Sequence, residues 1–197
     1  EMYWKVALAY VAGLERRRVA GLPLDHVASV ASFFVSRIDT AVDPLLPAGS
    51  PLQGRVALAN AKRAYQHFRY LFSGDRWARL SGAGARVQRP LWASTGTKNP
   101  AYSDVLYVEE LVGPDTVNTM PEATLDAFRT HGRVRPGAVM HNVTETAAIL
   151  PLLVKQGVDL KVVAEQLLQD GLAAFDADLA KVVATIESKL EAAPSTG

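Results

Sequence analysis

The sequence predicts an α/β fold built on a parallel sheet. Short β-branched or aromatic apolar stretches, amphipathic stretches of helical period between them, and proline- and glycine-rich punctuation together support that class. The order reads helix, strand, helix, strand, helix, strand, helix. Such alternation requires crossover connections, which give a parallel sheet that is either doubly wound or closed into a barrel. No GxGxxG or GxxxxGK[ST] pattern follows any of the three strands, which lowers the nucleotide-binding version.

Residues 1–20 read as a helix with apolar Val6, Leu8, Ala9, Ala12 and Leu14, and with Arg16, Arg17 and Arg18 at the C-terminal end, where the macrodipole favours cations. Residues 27–35, VASVASFFV, are nearly free of polar relief, so a strand buried on both faces is expected. The stretch 43–54 holds three prolines and two glycines and reads as a loop. Beyond it, Ala57, Ala61, Ala64, Phe68 and Leu71 recur at helical spacing. A second strand is expected over 88–94, then a polar turn at 95–100 and a helix over 102–112. The third strand falls within 115–120, and Pro121 opens the next helix in its first turn. The tail changes character: 144–157, 159–171 and 172–190 read as three helices, with Pro151 splitting or kinking the first and 192–197 fraying. The expected division is a strand-bearing part, 1–130, and a helical segment, 131–197, packed on it.

Composition narrows the function. The chain has 197 residues, no cysteine, and 21 basic against 20 acidic side chains, which gives no support to a disulfide scaffold or a dedicated nucleic-acid surface. Its apolar runs are far too short to span a bilayer. In a parallel sheet the side chains just past the strand ends line the site. Three clusters stand there: Ser32, Phe34 and Arg37; then Ser94, Thr95, Thr97, Lys98 and Asn99; then Asn118 and Thr119. Two cations, several hydroxyls and two amides, without an acidic set dense enough to hold a metal, suit a phosphorylated, hydroxyl-rich small molecule. Arg37 would hold phosphate oxygens in its planar fork and Lys98 would add a point charge. The competing reading pairs Arg37 with Asp39 or Asp43 at the surface. Lys98 is the one lysine of seven placed just past a strand, hence an internal candidate for an imine-forming amine, although its Thr, Gly and Asn neighbours suggest a wet turn. The histidines, His26, His67, His131 and His141, show no metal-ligand spacing. Trp77, Trp92, Tyr65, Tyr70 and Tyr107 are expected in the core, and Glu109–Glu110 on a helix rather than at a strand end.

The longer strand-bearing stretches carry a resemblance. Residues 21–39 (GLPLDHVASVASFFVSRID), 89–102 (RPLWASTGTKNPAY) and 111–121 (LVGPDTVNTMP) resemble the sixth, seventh and eighth barrel strands of transaldolases, particularly the long type of actinobacteria. The resemblance implies the C-terminal part of a (β/α)8 TIM barrel, its last three parallel strands with their helices, followed by C-terminal helices. It implies transfer of a dihydroxyacetone unit between sugar phosphates through a lysine Schiff base in the pentose phosphate pathway, with no metal or organic cofactor; composition without cysteine makes the cytoplasm the expected setting. Ser32 matches a substrate-contacting serine, Phe34 a pocket aromatic, Arg37 a phosphate-binding arginine and Ser94 the seventh-strand serine. Lys98 stands near the second phosphate-binding arginine of the shorter family members, in a differently spaced turn; Asn118 is assigned from its position at the eighth strand end.

By the same resemblance, the Schiff-base lysine, the acid/base glutamate and the orienting aspartate sit on earlier strands, ahead of residue 1. The expectation is a fragment or half of a split enzyme, without its own catalytic residues and inactive alone. Its expected partners are sugar phosphates and either the missing N-terminal half of the barrel or a second copy of itself, not nucleic acid or membrane. The alternative is a noncatalytic module that binds sugar phosphates or complements a half-barrel.

Overall fold

A computed structural model describes residues 1–191. Contacts divide the chain into a unit of residues 1–158 and a second that begins at Asp159. The first holds helix α1 (Met2–Val19), strand β1 (Ser29–Phe34), α2 (Ser36–Val42), α3 (Val56–Leu71), α4 (Gly74–Ser81), β2 (Gln88–Ala93), α5 (Leu106–Glu110), β3 (Val117–Asn118), α6 (Glu122–His131) and α7 (Val143–Lys155). The second holds α8 (Leu160–Glu191).

The sheet is parallel throughout, in the order β1-β2-β3. Register aligns Ser29 with Gln88 through Phe34 with Ala93, and then Leu91 with Val117 and Trp92 with Asn118. Because side chains alternate along a strand, this register sorts residues into two faces. Ala31, Phe33, Pro90 and Trp92 share the packed face, where the Phe33 ring meets Tyr3 of α1 edge-on at 6.5 Å and Trp92 at 5.7 Å. Trp92 is fully buried, and its indole N–H donates to the Leu111 carbonyl at 3.1 Å. Val30, Ser32, Phe34 and Arg89 share the opposite face and are exposed, Val30 at 47% and Phe34 at 42%. The expected two-sided burial of the first strand is therefore corrected to one-sided. Helices α1 and α3 cover one face, and on the other Val30 and Phe34 are exposed.

Several element readings change. In α1 the inward residues are Tyr3, Ala7, Val11 and Leu14, while Val6 is 43% exposed, so the apolar stripe is rotated from the expected one. The α3 stripe holds at Ala57, Ala61, Ala64 and Phe68, which are buried, while Leu71 at its end is half-buried. Tyr70 is exposed, unlike Tyr65, Tyr107, Trp77 and Trp92. The helix expected over 102–112 shrinks to Leu106–Glu110 because Tyr102 is held in a turn by Asp43. Pro121 stands at the N-cap in extended conformation, one residue ahead of α6. Pro151 lies inside a continuous α7: it forfeits one backbone hydrogen bond, while Ile149 and Leu153 anchor the helix on either side of it. Gly171, read as a break, is absorbed in the 32-residue α8; an interior glycine weakens a helix by only about 1 kcal/mol. The fraying expected at 192–197 lies outside the described residues.

A buried ion pair ties the layers of the first unit. Lys62 of α3 is 3% exposed, and its Nζ donates to Glu110 Oε2 at 2.9 Å and to the His141 carbonyl at 3.2 Å. Burial alone would raise the Glu110 carboxyl, but hydrogen bonds and charge from Lys62 and Arg135 hold it below the usual carboxylate range.

Candidate functional site

Parallel pairing in register puts the C-terminal ends of the strands on one rim. Val35 N–H donates to the Ala93 carbonyl at 2.9 Å, Ser36 N–H to Ser94 at 3.0 Å, and Thr119 N–H to Trp92 at 2.9 Å. The segments bearing Arg37, Ser94 and Asn118 are therefore neighbours at the same edge of the sheet. Ser94 leaves β2 with φ 53°, a left-handed conformation that costs a non-glycine residue about 1–2 kcal/mol. That turn bends the chain out of the strand and toward Lys98.

On the open face, Ser32 and Phe34 point the same way, beside Leu91 and Ala93. The Arg37 Cζ lies 4.8 Å from the Phe34 ring centroid, a cation–π contact that steadies the guanidinium over the open side of the sheet. Neither expected surface partner neutralises it. Asp39 is 2% exposed and turned inward: Oδ1 accepts from Ala57 N–H at 2.7 Å and Oδ2 from the Tyr107 hydroxyl at 2.8 Å. Asp43 accepts from Gly54 N–H at 3.0 Å and from the Tyr102 hydroxyl at 2.7 Å. Among the described residues Arg37 pairs with no carboxylate. Lys98 is likewise exposed and unpaired among them, on the turn after Ser94.

Asn118 is not brought to the open face. It aligns with buried Trp92, and its Oδ1 sits 2.8 Å from the Thr95 hydroxyl, which is also 3.1 Å from the Thr119 carbonyl. Thr95 is fully buried, so this pair fastens the short β3 to the end of β2 instead of presenting groups to a ligand. Ser32, Phe34 and Arg37 thus share the open side, the backbone of Ser94 joins them at the strand end, Lys98 stands four residues further along the turn, and Asn118 lies behind.

Sequence reasoning passed over the set behind Arg37. Burial pushes the Asp39 carboxyl up to about 6, although the Ala57 amide and Tyr107 hydroxyl favour its charged form. Burial and then the neighbouring Asp39 charge raise the Tyr107 phenol. The available signal was the spacing of Asp39 and Asp43, one helical turn apart and just ahead of a proline-rich loop whose amides need acceptors.

Three parallel strand ends, with Arg37 and Lys98, cations unpaired among the described residues, in the segments that follow two of them, define an α/β protein. Comparison with known proteins makes the class specific. Residues 3–186 match the family Transaldolase/Fructose-6-phosphate aldolase, and the chain belongs to that family. It is 48% identical over 196 residues to Transaldolase 1 of Streptomyces coelicolor, covering 97% of this chain and 51% of that protein. It is 45% identical over 200 residues to a transaldolase of Parafrankia sp., covering 99% and 54%, and 42% identical over 206 residues to one of Trichodesmium erythraeum, covering 97% and 54%. The chain spans about half the length of these relatives. Among the described residues no helix is long and apolar enough to cross a membrane.

Proposed function

We propose that this chain supplies the phosphate-holding side of a transaldolase-type site, in which a dihydroxyacetone unit passes between sugar phosphates through a lysine imine. Arg37 binds the substrate phosphate through its fork, with Lys98 adding charge. Ser32 and Ser94 meet substrate hydroxyls, and Phe34 walls the pocket. The imine-forming lysine and the proton-shuttling carboxylates come from polypeptide outside residues 1–197, which completes the barrel against the open strand edges and the apolar residues beside them, Val30 and Phe34. Without that lysine the chain binds but does not split a carbon–carbon bond. Sugar phosphates are the substrates and the cytoplasm is the setting. The observation that supports this reading best is Arg37 on the open side of the sheet, beside Phe34 and without a carboxylate partner among the described residues.

The test is complementation. The chain is mixed with the separately produced N-terminal half of the Streptomyces coelicolor relative, and transfer from fructose 6-phosphate to erythrose 4-phosphate is followed. Turnover that requires both pieces and falls at least tenfold in Arg37→Ala supports the reading. A folded, assembled pair with no turnover, or with turnover indifferent to Arg37, refutes it.

A further inference from the structure

Two separate cross-links join the segment that carries Arg37 to the segment that carries Lys98. The first is the strand-end bond from Ser36 N–H to the Ser94 carbonyl at 3.0 Å. The second lies at the far ends of the same two segments, where the Tyr102 hydroxyl donates to Asp43 Oδ2 at 2.7 Å. Asp43 directly follows α2, whose second residue is Arg37. Tyr102 closes the loop that holds Lys98: Thr97 Oγ1 donates to the Ser103 carbonyl at 2.8 Å, Ala101 N–H to Asn99 Oδ1 at 2.9 Å, and Tyr102 N–H to the Asn99 carbonyl at 3.1 Å. Lys98 and Tyr102 therefore belong to one internally tied loop.

The Tyr102 ring is also gripped from the other side. Gly54 has φ +69° and is buried, and a Cβ built on it would stand 2.8 Å from the Tyr102 Cζ. The ring thus lies directly on bare backbone, a seat that glycine alone leaves open. Gly54 N–H donates to the remaining oxygen of Asp43, at 3.0 Å. One carboxylate fixes both the seat and the hydroxyl that rests in it.

We propose that Tyr102, latched to Asp43 over Gly54, is a positioning residue that holds the Lys98 loop at a set distance from Arg37, so that both cations address a single phosphate. The inference rests on the functional reading above and adds to it the part that spaces the cations. A preset pair loses little freedom on binding, whereas a loose lysine loop must be ordered by the ligand itself.

The experiment titrates inorganic phosphate into the whole 197-residue chain and follows amide and guanidinium shifts by NMR. Wild type, Arg37→Ala, Lys98→Ala, Tyr102→Phe and the double variant Tyr102→Phe/Lys98→Ala are compared. Tyr102→Phe keeps the ring and removes one hydrogen bond, so phosphate binding should weaken by roughly three- to tenfold. The double variant should bind no more weakly than Lys98→Ala alone, a coupling that general loosening of the fold would not produce. If Tyr102→Phe does not fold, Asp43→Asn, which weakens the acceptor and keeps the ring, should give the same pattern. Undiminished binding by Arg37→Ala, or none by wild type, defeats the functional reading itself. Loss with Arg37→Ala but wild-type affinity in Tyr102→Phe, or equal losses from Tyr102→Phe with and without Lys98, defeats the latch alone.

Discussion

Replacing Asp39 by Asn should change how stability depends on pH, not merely how large it is. Asp39 is 2% exposed, and burial lifts its carboxyl from an ordinary 3.8 to about 6 in the folded chain. Between those values the folded state keeps a proton that the unfolded state has released. Stability from this group is therefore complete below about 3.8 and is lost as pH rises through about 6. The gap of about 2 pH units corresponds to ~3 kcal/mol, a large part of the 5–15 kcal/mol typical of a folded domain. Asparagine cannot ionise, so the wild type should lose about that much relative to Asp39→Asn between pH 4 and 6.5, and the difference should then level off. Urea unfolding followed by tryptophan fluorescence at several pH values measures it, and other carboxylates such as Glu110 cancel in the difference. Wild type and variant running parallel through the window, or the wild type gaining relative stability as pH rises, would refute the assignment of a buried, burial-shifted carboxyl.

Two further outcomes test the packing that holds the rim. Lys62→Met should cost about 2–4 kcal/mol in urea unfolding, since it leaves the His141 carbonyl without its donor and Glu110 with Arg135 alone; a loss under ~1 kcal/mol would mean the pair is not formed. Gly113→Ala should cost about 1–3 kcal/mol, because its Cβ would run into the fully buried Val139 side chain; a neutral result would show slack between the loop ahead of β3 and the segment ahead of α7.

Strand identity and order were legible because a buried parallel strand has a composition that little else shares, as in residues 29–34 and 88–93. The exposed face was not legible. Val30 and Phe34 are residue types usually buried, and no local pattern says that they are exposed among the described residues. The rotated stripe of α1 escaped for a related reason: Val6 and Ala9 are as apolar as Ala7 and Val11, and only tertiary packing separates them. At the site, Arg37, Ser32 and Phe34 could be read from position past or within a strand. Asn118 could not, because a strand of two residues gives no parity, and its facing is set by register against Trp92 and by Thr95. The acceptor roles of Asp39 and Asp43 depend on amides 11 to 18 residues away and are invisible to local pattern.

The position of the Arg37 guanidinium links ligand binding to the covering of the sheet. Phe34 belongs by parity to the same face as Val30 and Ser32, so the cation that rests on its ring lies on the side the described residues leave open. In water at that surface a single arginine–phosphate contact is strongly screened, and attraction between unit charges 4 Å apart is only about 1 kcal/mol. Polypeptide that buried Val30 and Phe34 would displace that water and raise the same attraction several-fold. By reciprocity, an anion seated on Arg37 would then favour the covered state to an equal degree. The aspartates nearest Arg37 in sequence, Asp39 and Asp43, are already occupied by backbone amides and tyrosine hydroxyls. Their inward turn leaves the arginine available to an anion, and the proposed barrel completion strengthens an attraction that the chain already offers.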